Sequence, residues 1–221
     1  MKCTIHGDLA QVARLEFEPG DVAWASRGGL MSHSSGLRWT LRVPGGLGGA
    51  VRRTLSGAGA ALVHLLAEGS DRADIAASQP GKIMPWDLGN GSVLATRGSF
   101  VAAFGDAVDI DVAIARRAGA ALFGGAGLFL QRVSGRGTAL IHGSGDFDER
   151  VLLPGEELFV STGHLAAFDE RVDYDVQAVG GCLRSLFGGE GLFMTRLRGP
   201  GRVLLQTLRR QSAQKRVQVQ G

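Results

Sequence analysis

Two carboxylate pairs are the residues of this chain best placed to do chemistry. They are Asp109 and Asp111 in VDIDV (108–112), and Asp173 and Asp175 in VDYDV (172–176). In an extended strand, residues two apart point to one side and lie about 7 Å from each other. Such a pair can hold a cation or divide the roles of acid and base. His164, in STGHLAAF (161–168), is the histidine that would join them as a further ligand or base. The other four histidines, His6, His33, His64 and His142, make no HxH or HxxxH pair. The imidazole-and-carboxylate set that gathers Fe, Mn or Zn in a β-barrel enzyme is therefore missing. No metal and no cofactor are expected, and a solvated sheet face is the simpler reading of the four aspartates. The matching region GLRWTLRV (36–43) carries Arg38 and Thr40 instead, which rules out a threefold acidic site.

Other reactive patterns fail on chemistry. The glycine runs GGLGG (45–49), GAG (57–59) and GGAG (124–127) lack the lysine of a phosphate loop, and none fits GxGxxG. HGSGDFDE (142–149) offers His, Ser and Asp in a row. Neighbours in one turn cannot adopt triad geometry, and GxSxG is absent. The chain is expected not to be an enzyme.

Nucleic acid is not an expected partner. The formal net charge is +3, and Arg52, Arg53, Arg116, Arg117, Arg132, Arg196, Arg198, Arg209, Arg210, Lys215 and Arg216 are the candidate cations. Single-strand binders interleave such cations with aromatic stacking platforms. Aromatics here are only 6% and sit in apolar runs, as core residues do.

The elements that would position these residues are written more than once. GGAGLFLQRVSGRGTALIHG (124–143) returns as GGEGLFMTRLRGPGRVLLQT (188–207), with nine of twenty positions identical. Arg132/Arg196, Gly135/Gly199, Gly137/Gly201 and Leu140/Leu204 are among them. VDIDV and VDYDV keep the same offset. GNGSVLATRGSFVAAF (89–104) resembles PGEELFVSTGHLAAF (154–168), and PGDVAWASRGGLM (19–31) supplies a third copy with Gly28, Gly98 and Gly163 in line. SGAGAALVHLLAEGSDRADIAAS (56–78) is a degenerate first copy of the glycine-rich segment, Gly57 and Gly59 answering Gly125 and Gly127. Three units of roughly 65–70 residues follow. Each reads as strand, glycine turn, strand. RVSGRGTAL and RLRGPGRVL read as hairpins, because glycine supplies the positive φ that tight turns need. GAGAALVHLLAEG (57–69) has helix-forming composition, but its register with the other copies favours a strand.

Glycine makes up 35 of 221 residues and hydrophobic residues 44%, so turns are frequent and a core can be built. Cys3 and Cys182 are far apart and in no CxxC pair, which fits a reducing cytoplasm. The N-terminus lacks a signal-peptide core, and the longest uncharged apolar run (118–130) is too short to span a bilayer. Residues 209–221 shift to a basic, polar composition and read as a tail.

At EPGDVAWASRGGLM (18–31), QPGKIMPWDL (79–88), LLPGEELFVSTGHLAAF (152–168) and GPGRVLLQT (199–207) the chain resembles the mitochondrial biogenesis, or altered-inheritance-of-mitochondria, family. The resemblance runs from about residue 4 to 208 and implies an all-β fold related to the double-stranded β-helix. It further implies kinship with the tryptophan RNA-binding attenuation protein and pseudo-threefold internal character. In the mitochondrial branch it implies a role in membrane organisation; bacterial members are of unknown function. An Arg-rich transit segment is absent, as in a bacterial cytoplasmic member. The chain departs from the pattern at SGAGAALV, where Ala60 and Ala61 replace a bulky aromatic.

The expectation is therefore all-β: one compact domain over 1–208, a double-stranded β-helix or β-prism of three pseudo-repeats, and a tail over 209–221. Function is expected by association, as a homo-oligomer (trimer or ring) or with a protein or peripheral-membrane partner, and no transmembrane segment. Two alternatives remain open. One is a small-ligand- or metal-binding barrel, with or without enzymatic activity, using Asp109/Asp111, Asp173/Asp175 and His164. The other is an RNA-binding ring.

Overall fold

The computed structural model describes residues 1–44, 61–114, 128–178 and 193–210. Gly57, Gly59, Gly124, Gly125, Gly127, Cys182 and residues 211–221 lie outside the described residues. Short apolar runs cut by glycine turns give seventeen strands and two single 3-10 turns, with no α-helix among the described residues. In chain order the strands begin with β1 (Lys2–His6), β2 (Val12–Phe17), β3 (Val22–Ala25), β4 (Leu30–His33), β5 (Leu37–Arg42) and β6 (Leu62–Ala67). Then come β7 (Asp71–Ala76), β8 (Gly81–Asp87), β9 (Val93–Thr96), β10 (Phe100–Ile114) and β11 (Phe129–Ser144). The last are β12 (Phe147–Leu152), β13 (Glu157–Ser161), β14 (Leu165–Asp169), β15 (Asp173–Ala178), β16 (Phe193–Arg198) and β17 (Gly201–Gln206).

The strand ladders among the described residues are antiparallel. A four-stranded sheet has the order β1-β2-β7-β4 and a three-stranded sheet the order β13-β16-β15. Between them runs a ten-stranded sheet, β12-β17-β14-β9-β11-β10-β3-β6-β5, with β8 added on β11. The helical composition of 57–69 loses to pairing: Leu62–Ala67 is a strand held between β3 and β5. Packing against neighbours overrides propensity there.

The expected hairpins are not hairpins. RVSGRGTAL lies inside the single strand β11, and β16 and β17 pair with other strands rather than with each other. Gly135 has φ +104, and a Cβ there would sit 1.8 Å from the carbonyl oxygen of Ala107. Glycine is used at this point to bend a continuing strand against its neighbour, not to reverse it. The β10–β11 register breaks beside the bend, between Phe104 and Ala107. One-residue shifts also fall at Leu30/Ser32 in β4–β7, Phe100/Ala102 in β10–β11 and Leu165/Ala167 in β14–β17.

Three hydrophobic clusters are buried, and the central strands are walls shared between them. On β9, Val93 and Ala95 face one cluster while Leu94 faces the next. On β14, Ala166 and Ala167 belong to the first of these and Leu165 and Phe168 to the second. Strands covered on both faces read as continuous apolar runs. Each fully buried Leu or Phe contributes about 1.5–3 kcal/mol relative to exposure.

Candidate functional site

The two aspartate pairs lie on different sheets, each beside an arginine. Across β10–β11, Asp111 stands opposite Arg132 and Asp109 opposite Ser134. Across β15–β16, Asp175 stands opposite Arg196 and Asp173 opposite Arg198. Arg132 forks onto Glu170, Nε to Oε1 at 2.7 Å and Nη2 to Oε2 at 2.9 Å. Its Nη1 donates to Ser134 Oγ at 3.1 Å. Glu170, then Asp109 and Asp111, raise the Arg132 pKa against the opposing effect of burial. Arg196 donates from Nη1 to Glu157 Oε1 at 3.0 Å and lies 4.0 Å from Asp173. Guanidinium charge balances both acidic faces, and no cluster of three His, Cys, Asp or Glu able to hold a metal occurs among the described residues.

His164 ends the 3-10 turn Thr162–His164 after β13. Its Nδ1 lies 2.9 Å from the carbonyl oxygen of Gln206. A carbonyl only accepts, so Nδ1 carries the proton and the ring anchors β17.

A buried polar group that the motifs did not mark surrounds His142, which is 1% exposed. Arg210 Nη2 donates to His142 Nδ1 at 2.9 Å, to the His142 carbonyl at 3.2 Å and to Gln206 Oε1 at 3.2 Å. The Ser144 backbone N–H donates to the same Oε1 at 3.0 Å. Burial, and then the charge of Arg210, hold the His142 pKa down at about 4, while the Gln79 backbone pulls the other way. Burial lowers Arg210 to about 10. The side-chain hydrogen-bond partners of Arg210 among the described residues are neutral. Contacts of the body thus take in the first two residues of the expected tail, Arg209 and Arg210.

A cavity of about 490 Å³ opens between two turns. One carries Ser26, Arg27 and Gly28 between β3 and β4; the other carries Arg97 and Gly98 between β9 and β10. Gly28 and Gly98 adopt φ +83 and +80, so each arginine precedes a residue that glycine alone holds without strain. Leu62, Phe100, Val101 and Leu130 form an apolar floor. Gln131 also lines the cavity, and its Nε2 is buried without an acceptor among the described residues. The sequence alignment placed these two glycines in register; the arginine before each was the overlooked signal.

The ends of the large sheet carry apolar side chains in water. On β5, Trp39 is 50% and Leu41 56% exposed; on β12, Val151 is 69% exposed.

A family model described as Mitochondrial biogenesis AIM24 matches residues 3–208. The chain belongs to the AIM24 family. A relative, an uncharacterized protein of Streptococcus pyogenes serotype M6, is 28% identical over 206 residues, covering 89% of this chain and 81% of the relative. The crystal structure of a Streptococcus pyogenes protein superposes with a TM-score of 0.75 at 24% identity, covering 94% of each chain. At that identity the likeness speaks for the fold. Membership of the AIM24 family thus joins an all-β architecture to relatives whose names give no activity. No helix among the described residues is long and apolar enough to cross a membrane.

Proposed function

We propose that this AIM24 family member is a non-enzymatic β-scaffold that works by self-association, built from three like units in the manner of a β-prism. The unit reading is supported by the three register shifts at Leu30/Ser32, Phe100/Ala102 and Leu165/Ala167, which fall at corresponding places in the repeated sequence. The association reading is carried by one observation: the end strands β5 and β12 each pair on one side only among the described residues, with Trp39, Leu41 and Val151 in solvent. Edge strands left open in this way are templates for further pairing.

The occupant proposed is a second copy of the chain, β12 of one against β5 of the next. LRWTLR of β5 carries two arginines and no acid, whereas FDERVL of β12 carries Asp148 and Glu149 against one arginine. Head-to-tail contact of this kind gives a ring when the rotation between copies closes. Native mass spectrometry tests it. The untagged chain should give a clean multiple of 23.1 kDa, and W39D/L41D should fall to the monomer. D173N/D175N should leave the multiple intact. A wild-type monomer across the micromolar range overturns the reading.

A further inference from the structure

We propose that the cavity between the Arg27 and Arg97 turns binds a small amphiphilic anion. A carboxylate or phosphate group would be held by the two guanidiniums, with a hydrocarbon body lying on Leu62, Phe100, Val101 and Leu130. This goes beyond self-association and does not rest on it.

Four features of the molecule converge on that chemistry. The first is charge without a counter-charge. Arg27 and Arg97 are exposed, neither makes an ion pair among the described residues, and no Asp or Glu is among the described lining residues. Three other exposed arginines are each matched by an acid: Arg38 by Glu68, Arg150 by Asp148 and Arg171 by Asp169. The second feature is a third cation behind the wall. A Cβ on Gly98 would meet Arg210 Nη1 at 2.5 Å, so that guanidinium lies directly beneath the turn. Its side-chain partners among the described residues, His142 and Gln206, are neutral. Charge withdrawn from water is normally paired, and an anion at this turn would supply the partner.

The third feature is the floor. Leu62 and Phe100 belong to the central hydrophobic cluster and Leu130 to the neighbouring one, so the cavity reaches the seam between two cores. An inorganic anion would leave that surface unused; a hydrocarbon body covers it. The fourth is size. A volume of about 490 Å³ falls within the roughly 300–1,000 Å³ of small-molecule sites. Guanidinium suits the anionic end because its planar fork matches carboxylate and phosphate oxygens two at a time. Gln131, whose buried Nε2 has no acceptor among the described residues, adds a neutral donor to the lining.

The third turn of this kind marks the contrast. There Thr162 stands before Gly163, and Arg209 packs over the glycine, with Cγ 2.7 Å from the place of a Cβ. The arginine pair is confined to the first two turns.

Isothermal titration of the full chain with decanoate, decyl phosphate, decanol and inorganic phosphate tests the assignment. Decanoate or decyl phosphate should bind at one site per chain, and whichever binds more tightly identifies the head group. Decanol and inorganic phosphate should each bind at least tenfold more weakly. R27A/R97A should weaken the amphiphile at least tenfold, and R27K/R97K should recover part of the loss. Both positions are exposed turn residues, and an unchanged thermal melt will show that the variants are folded. Absence of binding by both anionic amphiphiles overturns the proposal. Equal binding of decanol, or an undiminished affinity in R27A/R97A, overturns it as well. Inorganic phosphate binding as tightly as decyl phosphate would remove the apolar floor from the site and overturn it too.

Discussion

Arg210 donates from Nη2 to Nδ1 of His142 at 2.9 Å, joining a residue beyond the last strand to the closing stretch of the longest one, two residues before its end. A guanidinium has no acceptor, so Nδ1 must accept, and the imidazole is neutral with its proton on Nε2. Protonating the ring would turn a second N–H toward a cation inside the protein.

That geometry gives stability a pH dependence of definite sign. His142 titrates near 6.5 in the unfolded chain and at about 4 in the fold. Between these values the unfolded chain binds a proton that the fold refuses, so stability falls as pH falls. The contribution is complete above about pH 6.5 and lost toward pH 4, on the order of 2–3 kcal/mol. Urea midpoints measured from pH 4 to pH 7 should rise across this window, and H142Q should flatten the rise.

Arg210→Ala should act on the same ring. Losing the donor leaves a buried acceptor unpaired, costing about 1–3 kcal/mol at pH 7. Losing the positive charge should also move the His142 titration upward, since Arg210 is the second cause of its depression after burial. NMR titration of the imidazole checks the shift, and an unmoved midpoint would remove the charge from the account.

Arg132 should matter only where Glu170 is ionised. The bond to Arg132 is the leading reason that the Glu170 carboxyl titrates below its usual value. The stabilisation is therefore present above about pH 4.5 and fades as pH falls through the folded value. Both side chains are partly exposed, so Arg132→Ala should cost about 0.5–1 kcal/mol at pH 7. The gap in denaturant midpoint between the variant and the parent should narrow as pH falls below about 4.5.

Two glycines of like φ should separate strain from clash. Gly135 (φ +104) has the Ala107 carbonyl 1.8 Å from any added Cβ, whereas Gly155 (φ +81) has nothing within 4 Å. Gly135→Ala should cost more than about 3 kcal/mol, in the range of severe backbone and overpacking defects. Gly155→Ala should cost about 1 kcal/mol from φ alone. Thermal melts of the two variants make the comparison.

Local chemistry was legible in the sequence, and distant pairing was not. β-branched and aromatic runs marked β9, β13 and β15, and the echo of Arg132 in Arg196 led to the two positions that face Asp111 and Asp175 across their ladders. Glycine, by contrast, serves both reversal and bending. Gly28 and Gly98 reverse the chain, while Gly135 bends it, and only the partner strand decides between these uses. The His142–Arg210 contact joins residues 68 apart. Nothing in the composition of 209–221 distinguishes a guanidinium that turns inward from one left in water. The arginine before each turn glycine was visible, but its lack of a counter-charge is a property of space, not of order along the chain.

Strand β9 has one further consequence, for synthesis. Its edge is closed by β14, and Thr96 Oγ1 donates to the carbonyl of Leu165 at 2.8 Å across 69 residues of chain. As the nascent polypeptide leaves the ribosome, β9 emerges well before the strand that covers it, and its two apolar faces wait for partners still being translated. Long-range pairings of this kind fold late. The body is complete only when Arg210 itself has been released, and a ribosome stalled before β14 holds an open sheet with β9 as its exposed lip.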